Sequence, residues 1–253
     1  MTDAINSALT GLNAASLRQA VSANNVANAT TPGFAAGRVT QSDLAGGGTQ
    51  VADISAAGGA AAFEFTGIPF DLAIDGMGWF AFRGGDGGSV FSRVGSLGQD
   101  GQGFLVDRSS GRRLLGAAQG GPAGPIHVDI GGSSPHGAMQ AFSVSANGAV
   151  MGHFADGTTQ EIARISLARF ANEGGLVSVG GNAVLPGPNS GEPVLGHAGA
   201  APFGRLVQGA LQGSNTDIAR ERVDQSVNAI VFKANIAVIK TQKELFDELM
   251  NLG

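Results

Sequence analysis

Apolar side chains recur three and four residues apart near the N-terminus, including Ile5, Leu9 and Leu12. This spacing places them on one face of an α-helix. Residues 2–27 contain no proline, and Thr31-Pro32-Gly33 ends the pattern, because the residue before a proline is disfavoured in the helical region. The pattern predicts one helix from residue 2 to about residue 27.

A second periodic segment lies at the C-terminus. No glycine or proline occurs from Thr216 to Leu252, and apolar residues recur there mostly three and four apart. We expect Ser214 or Asn215 to cap this helix, with Asp217 completing a capping box. A helix of this length with a long apolar stripe needs a partner. The partner is the N-terminal helix, other copies of the chain, or both.

The region between the two helices has a different pattern of residues. Residues 35–62 are rich in glycine and predict an extended or flexible arm with one strand near residues 50–54. Residues 63–207 predict a β domain, because short apolar runs there alternate with turn signals. The Asp-Gly pairs at Asp75, Asp86, Asp100 and Asp156 are strong hairpin signals. The predicted strands include Phe70–Asp75, Trp79–Phe82, Gly103–Asp107, Pro125–Ile130, Phe142–Ser145 and Ile162–Phe170.

The alternation within residues 162–170 predicts a strand with one solvent-exposed face. The whole pattern predicts an α+β protein, in which long N- and C-terminal helices pair as a coiled-coil-like stalk beside a central all-β domain. The expected domains are a discontinuous helical domain (1–34 and 208–253), an arm or linker (35–62) and the β domain (63–207).

Composition narrows the functional classes. A hydrophobic fraction of 43% argues against disorder. A formal net charge of −5 without a basic run argues against nucleic-acid binding. The absence of cysteine excludes disulfides and thiolate metal sites. No segment has the ~20 continuous apolar residues of a membrane span, and no Sec signal is visible, so we expect no membrane insertion.

Candidate catalytic groups are few. Asp71 and Asp75 are spaced to share one face of a strand and to act as acid and base. We favour the simpler interpretation that Asp75 starts a turn and Asp71 faces solvent. The histidines lack metal-ligand spacing, and the glycine-rich run at residues 84–88 lacks the lysine of a phosphate-binding loop. We therefore predict no catalytic, cofactor-binding or metal-binding residues, and no cofactor.

Three blocks carry a resemblance to a known family. They are Asn24-Asn25-Val26-Ala27-Asn28 with Thr31-Pro32-Gly33-Phe34, the segment from Thr66 to Phe80, and Gly209 to Asp217 leading into the C-terminal helix. In this order they resemble the rod and hook family of bacterial flagellar axial proteins. The resemblance implies a non-enzymatic structural subunit, in which both terminal helices form the inner layer of a self-assembling hollow tube. It also implies localisation in the flagellar basal body or hook, outside the cytoplasm.

The implied partners are other copies of the chain, other rod and hook proteins, the flagellar type III export apparatus, which exports such proteins without a cleaved signal, and the bushing rings around the rod. The length favours a basal-body rod subunit, with a short hook protein as the alternative. A more distant alternative is a binding module or hydrolase whose β domain carries helical dimerisation arms.

The residues expected to form the assembly interface come from the helical stripes and from the matched blocks. They are Ile5, Leu9, Leu12, Asn24, Asn25, Asn28, Pro32, Gly33, Phe34, Ser214, Asn215, Val227, Ile230, Val231, Ala234, Val238, Leu245 and Leu249.

Overall fold

A computed structural model describes residues 2–56, 61–85, 87–118, 123–132 and 135–251. The predictions made for Asp86, Leu252 and residues 57–60 of the arm lie outside the described residues. The chain divides into two compact units. The helical unit comprises residues 1–30, 35–58 and 216–253, and the β unit comprises residues 31–34 and 59–215. The α+β class is confirmed.

Both predicted helices form. Helix α1 spans Thr2–Ala27 and helix α2 spans Ile218–Asn251. The cap of α2 differs from the prediction, because Asp217 takes the position expected for Ser214 or Asn215. Its Oδ1 accepts hydrogen bonds from the backbone N–H groups of Ala219 (2.9 Å) and Arg220 (3.2 Å). A carboxylate at this position also interacts favourably with the helix dipole.

The glycine-rich arm folds as a hairpin with two strands, where one was predicted. Strand β1 (Gly37–Asp43) pairs antiparallel with β2 (Thr49–Ala56). The hairpin lies along α1, where the backbone N–H of Thr49 donates to Thr10 Oγ1 at 3.2 Å. Gly48 has a positive φ, and a Cβ there would collide with Thr10. The glycines that suggested a flexible arm thus form the turn that lets the hairpin approach the helix.

The β unit is built from short antiparallel strands. They are β3 (Phe63–Phe65), β4 (Leu72–Asp75), β5 (Trp79–Arg83), β6 (Ser89–Ser92), β7 (Leu97–Gln99), β8 (Leu105–Asp107), β9 (Leu115–Ala118), β10 (Ala123–Pro125), β11 (Met139–Val144), β12 (Ala149–Phe154), β13 (Thr159–Arg169), β14 (Val177–Gly180), β15 (Ala183–Leu185), β16 (Val194–His197), β17 (Arg205–Gln208) and β18 (Ala210–Gln212). A 3₁₀ turn, Glu173–Gly175, precedes β14.

Ten of these strands form one sheet with the path β10-β9-β13-β5-β6-β15-β14. Strand β12 pairs with β13 and with β11, and β16 also pairs with β13. Three strand pairs lie outside this sheet: β17 with β4, β18 with β3, and β7 with β8. The Asp-Gly hairpins at Asp100 and Asp156 are confirmed by the β7–β8 and β12–β13 pairings.

The hairpin expected at Asp75-Gly76 does not form, since β4 pairs with β17 and β5 pairs with β6 and β13. Gly76 and Gly78 have φ values of 112° and 133°, and the N–H of Gly204 donates to the carbonyl of Met77. The turn therefore carries the chain from one sheet to another. The strand predicted at Pro125–Ile130 is also wrong, because regular pairing ends at Pro125 and isolated bridges follow.

The sheet buries apolar side chains on both faces. In β5, Phe80 and Phe82 belong to one core cluster, whereas Trp79 and Ala81 belong to a second. The exposed face predicted for residues 162–170 is therefore wrong for the C-terminal half of β13, whereas Ile162 and Arg164 are only half-buried. The C-terminal half of β13 lies between β5 and β16 and is buried on both sides. A central strand of this kind has no solvent-exposed face.

Candidate assembly surface

Helices α1 and α2 pack antiparallel in the helical unit. Ser22 near the end of α1 donates to Glu221 near the start of α2, and Gly11 lies against Asn235 further along α2. The buried side chains of this contact include Ala15, Ser22 and Asn228. The contact is therefore made by small and polar residues, which contribute less hydrophobic free energy than a leucine seam would.

Asn25 connects three segments of the helical unit. Its Nδ2 donates to Glu221 Oε1 (2.8 Å) and to the carbonyl of Gly37 (2.9 Å), and its Oδ1 accepts from the N–H of Gly37 (2.7 Å). Ser22 Oγ donates to the other oxygen of Glu221 at 2.5 Å. Asn25 is only 2% exposed, so these bonds satisfy an amide that is shielded from water. This cluster fixes α1, β1 and α2 at one point.

The other two asparagines of the N-terminal block bond to each other. Asn28 Nδ2 donates to Asn24 Oδ1 at 2.6 Å and to the Asn24 carbonyl at 3.0 Å. Asn24 is exposed in the last turn of α1, and Asn28 directly follows the helix and is half-buried. Their bonds close the last turn of the helix, and whether they also contact other subunits stays a prediction.

Residues 31–34 belong to the β unit, where they bind the C-terminal block. The N–H of Gly33 donates to the Gln212 carbonyl at 2.7 Å, and the N–H of Asn215 donates to the Phe34 carbonyl at 3.3 Å. Asn182 Nδ2 donates to the Pro32 carbonyl at 3.2 Å. The two sequence blocks farthest apart in the chain are thus joined in the fold. An assembly role for these residues and for Ser214 stays a prediction.

An apolar stripe on α2 is largely uncovered. We define the α2 stripe as Val223, Val227, Ile230, Ala234, Val238, Leu245 and Leu249, all of which are exposed. Ile230 is 67% exposed and Val227 50%. At 3.6 residues per turn the stripe lies about a third of a turn away from Asn228 and Asn235, which face α1. Val231 sits between the two faces and is half-buried.

Helix α1 also leaves larger apolar side chains exposed while smaller residues face α2. Ile5 and Leu9 are exposed and Leu12 is half-buried, while Ala8 and Ala15 are buried. The small residues that face α2 recur three and four apart, and this recurrence is the one signal that could have identified the contact from the sequence. The predicted apolar residues are left mostly outside it.

Comparison with known proteins identifies the chain's relatives. Three family models match: "Flagella basal body rod protein" over residues 5–34, "Flagellar hook protein FlgE/F/G D1 domain" over residues 73–152, and "Flagellar basal body rod FlgEFG protein C-terminal" over residues 207–252. The flagellar basal-body rod protein FlgG of Bacillus subtilis is 30% identical over 100% of this chain and 99% of its own length. The chain belongs to the flagellar rod and hook protein family.

Further relatives include both subtypes of the family. FlgG of Agrobacterium fabrum is 29% identical over 94% of each chain. The flagellar hook protein FlgE of Escherichia coli is 37% identical, but the match covers 46% of this chain and 29% of FlgE. The solved hook protein FlgE2 of Helicobacter pylori has a TM-score of 0.27 and 20% identity over 43% of this chain and 33% of its own. This flagellar protein is a structural component of the flagellar axis.

The candidate acid–base pair does not form a site in this axial protein. Asp71 is 1% exposed, so the prediction that it faces solvent is wrong. Its Oδ2 accepts from Thr66 Oγ1 at 2.7 Å, and its Oδ1 has no hydrogen-bond partner among the described residues. Asp75 is exposed and lies opposite Arg205 in the β4–β17 pair. One carboxyl is thus part of the core and the other part of the surface.

Altered pKa values in the β unit have structural causes. The N–H of Phe104 and then that of Gln102, with Arg113, hold the pKa of Asp100 below its usual value, against partial desolvation. Hydrogen bonds from Thr158, with a smaller contribution from His136, lower the pKa of Asp156. Both carboxylates organise hairpin turns.

Burial lowers the pKa of Arg93, which donates to the Gly76 carbonyl and to Gln212. Within the described residues, no three histidine, aspartate or glutamate side chains form a metal-binding group. Neither of the two helices described is apolar enough over a sufficient length to cross a membrane.

Proposed function

We propose that this protein is a subunit of the flagellar basal-body rod and that the α2 stripe is its principal assembly surface. The exposed stripe carries the proposal. Helix α1 covers a polar face of α2, and the apolar positions are left to water in the single chain. Exposed apolar faces of this kind commonly mark interaction sites, and burying them between copies releases ordered water.

In the proposed tube, both terminal helices form the inner layer through which later subunits pass. Helices α1 and α2 provide this layer, and the β unit makes lateral contacts outside it. A contact between copies that does not close on itself extends into a helix. Such a tube transmits torque because every copy is packed against several others.

The proposed partners follow from this role. They are other copies of the chain, other axial proteins of the flagellum, the export apparatus and the rings that surround the rod. We propose that the protein leaves the cytoplasm through the flagellar export apparatus without cleavage of a signal.

We propose that the protein is not an enzyme. Asp71 accepts from Thr66 inside the core, and His153 is held between Ser143 and Thr159 on the sheet. Asp71 is thus shielded from substrate by the core, and both ring nitrogens of His153 are engaged by neighbouring side chains.

A short hook protein is the second candidate, because the local identity to FlgE (37%) exceeds the identity to FlgG (30%). The full-length match to FlgG favours the rod. Deletion of the gene followed by electron microscopy of isolated basal bodies distinguishes the two. Structures that stop before a complete rod support the proposal, complete rods without hooks support the alternative, and complete flagella contradict both.

A further inference from the structure

The charges of α2 are separated along its length. From Gln225 to Lys243 the helix has three lysines and no acidic residue, and the next five residues contain three acids and no base. We call Lys233, Lys240 and Lys243 the basic stretch, and Glu244, Asp247 and Glu248 the acidic end.

All six of these side chains are exposed. None of them forms an ion pair within 4.0 Å among the described residues, where the salt bridges are Arg113–Asp100, His136–Asp156 and Arg164–Glu161 in the β unit. Helix α1 carries only Asp3 and Arg18, and neither forms an ion pair with the basic stretch or the acidic end among the described residues. In the single chain both charge clusters face solvent.

The acidic end is also unfavourable for an isolated helix. The C-terminus of a helix carries a partial negative charge, and acidic side chains there are repelled by it. The last turn of α2 has no basic residue to offset this repulsion. A neighbouring positive surface would remove the cost.

We propose that the acidic end of one copy lies beside the basic stretch of α2 in a neighbouring copy, with the two helices parallel and staggered. This inference rests on the proposed assembly function and adds the orientation of the contact. A stagger of about one to three turns brings the opposite charges together. Leu245 and Leu249 of the α2 stripe accompany the acidic end into the contact.

We infer parallel helices because only a parallel contact leaves charged surfaces free to bind further copies. An antiparallel pair of α2 helices would satisfy both charge clusters of both copies and would stop at a dimer. A staggered parallel pair leaves one basic stretch and one acidic end free for the next copies. Only the second arrangement extends into a tube.

The test uses two charge-reversal variants of the full chain in cells that lack the native gene. The acid-reversed variant carries Glu244→Lys, Asp247→Lys and Glu248→Lys, and the base-reversed variant carries Lys233→Glu, Lys240→Glu and Lys243→Glu. The measurement is the amount of this protein in isolated basal bodies, together with swimming. The amount of protein in basal bodies should be about tenfold lower for each variant alone, because several exposed charge pairs each contribute a modest free energy.

Co-expression of the two variants discriminates between contacts within and between chains. Each variant has like charges along its own α2, so any benefit of Lys240 beside Glu244 in one helix stays lost in the mixture. Opposite charges between neighbouring copies are recovered. We expect co-expression to restore incorporation to within about twofold of the unaltered protein.

The outcomes separate this inference from the proposed function. Single variants that incorporate normally, or a mixture no better than either variant alone, would overturn the inference. If Val238→Asp still blocks incorporation in that case, the stripe keeps its proposed role. Unaltered protein missing from isolated rods and hooks would overturn both.

Discussion

Asn25 illustrates how one side chain can hold the helical unit together. It bonds to Glu221 of α2 and to both backbone groups of Gly37. Asn25→Ala removes these bonds and leaves buried groups without partners, so we expect the free energy of unfolding of the helical unit to fall by about 1–3 kcal/mol. Thermal denaturation followed by far-ultraviolet circular dichroism measures the change.

Asn24→Ala is the matched control, because Asn24 lies one residue away on the exposed side and, among the described residues, its side chain bonds only to Asn28. Its effect should be within about 0.5 kcal/mol. Equal losses of stability in the two variants would show that the hydrogen bonds of Asn25 stabilise the helical unit no more than those of Asn24.

Gly33 is required by both conformation and space. Its φ is 67°, and an added Cβ would lie 2.8 Å from Val94 Cγ2. Gly33→Ala should therefore destabilise the β unit by about 2–4 kcal/mol, combining left-handed strain with overpacking. Chemical denaturation followed by the fluorescence of Trp79 measures the effect.

Gly67→Ala separates the two contributions. Gly67 has a φ of 69° but no atom within 4 Å of an added Cβ. Gly67→Ala should lower the free energy of unfolding of the β unit by only about 1–2 kcal/mol. A loss as large as that of Gly33→Ala would contradict the close approach to Val94.

Asp100 makes stability depend on pH. Its pKa in the folded chain is lowered chiefly by the N–H of Phe104. A depressed carboxyl pKa contributes stability above the unfolded value of about 3.9, and this contribution is lost as pH falls through the folded value. Asp100→Asn should therefore flatten the fall in melting temperature as the pH drops below about 4. Parallel curves for the variant and the unaltered protein would contradict this assignment.

At the scale of elements, both helices were predictable because glycine and proline are nearly absent from them and apolar residues recur at helical spacing. The face by which they pair was not predictable from hydrophobicity, because Gly11, Ser22 and Asn228 make the contact. Only the recurrence of small residues on α1 points to it. The hairpin of residues 37–56 was missed because glycines that promote flexibility in isolation here permit close packing on α1.

The sheet shows a second limit of local patterns. Asp-Gly signals correctly located the turns after β7 and β12, where the next strand is also the hydrogen-bonding partner. The same signal at Asp75 failed, because the partner of β4 is the distant strand β17. Long-range pairing depends on which side chains fill the core, and this is not encoded in a dipeptide.

The cap of α2 gives a test at this scale. Asp217 receives two backbone N–H groups, so Asp217→Ala should destabilise the first turn by about 0.5–2 kcal/mol. Asp217→Asn should retain most of the stability, because its side-chain oxygen still accepts. Hydrogen exchange at Ala219 and Arg220 reports the effect. Unchanged exchange in the alanine variant would mean that another residue supplies the cap.

For the whole molecule, the family and the α+β class were accessible from the order of three sequence blocks, and the full-length similarity to FlgG confirms the family. The assembly interface was predicted from the apolar stripes of the helices together with residues of the matched blocks, and it is still a proposal. The structure adds that Val238 and the other residues of the α2 stripe are exposed although α1 packs against α2. The α2 stripe is therefore available to other copies while each chain keeps its helices paired.

The most direct test of this account is incorporation of Val238→Asp into isolated flagellar basal bodies. Val238 is 43% exposed, so the variant should fold, but a charge in the stripe should abolish assembly and swimming. Ala229→Asp adds the same charge at an exposed position on the other side of α2 and should assemble normally. Normal incorporation of Val238→Asp, or equal failure of both variants, would contradict the assignment of the stripe as the assembly surface.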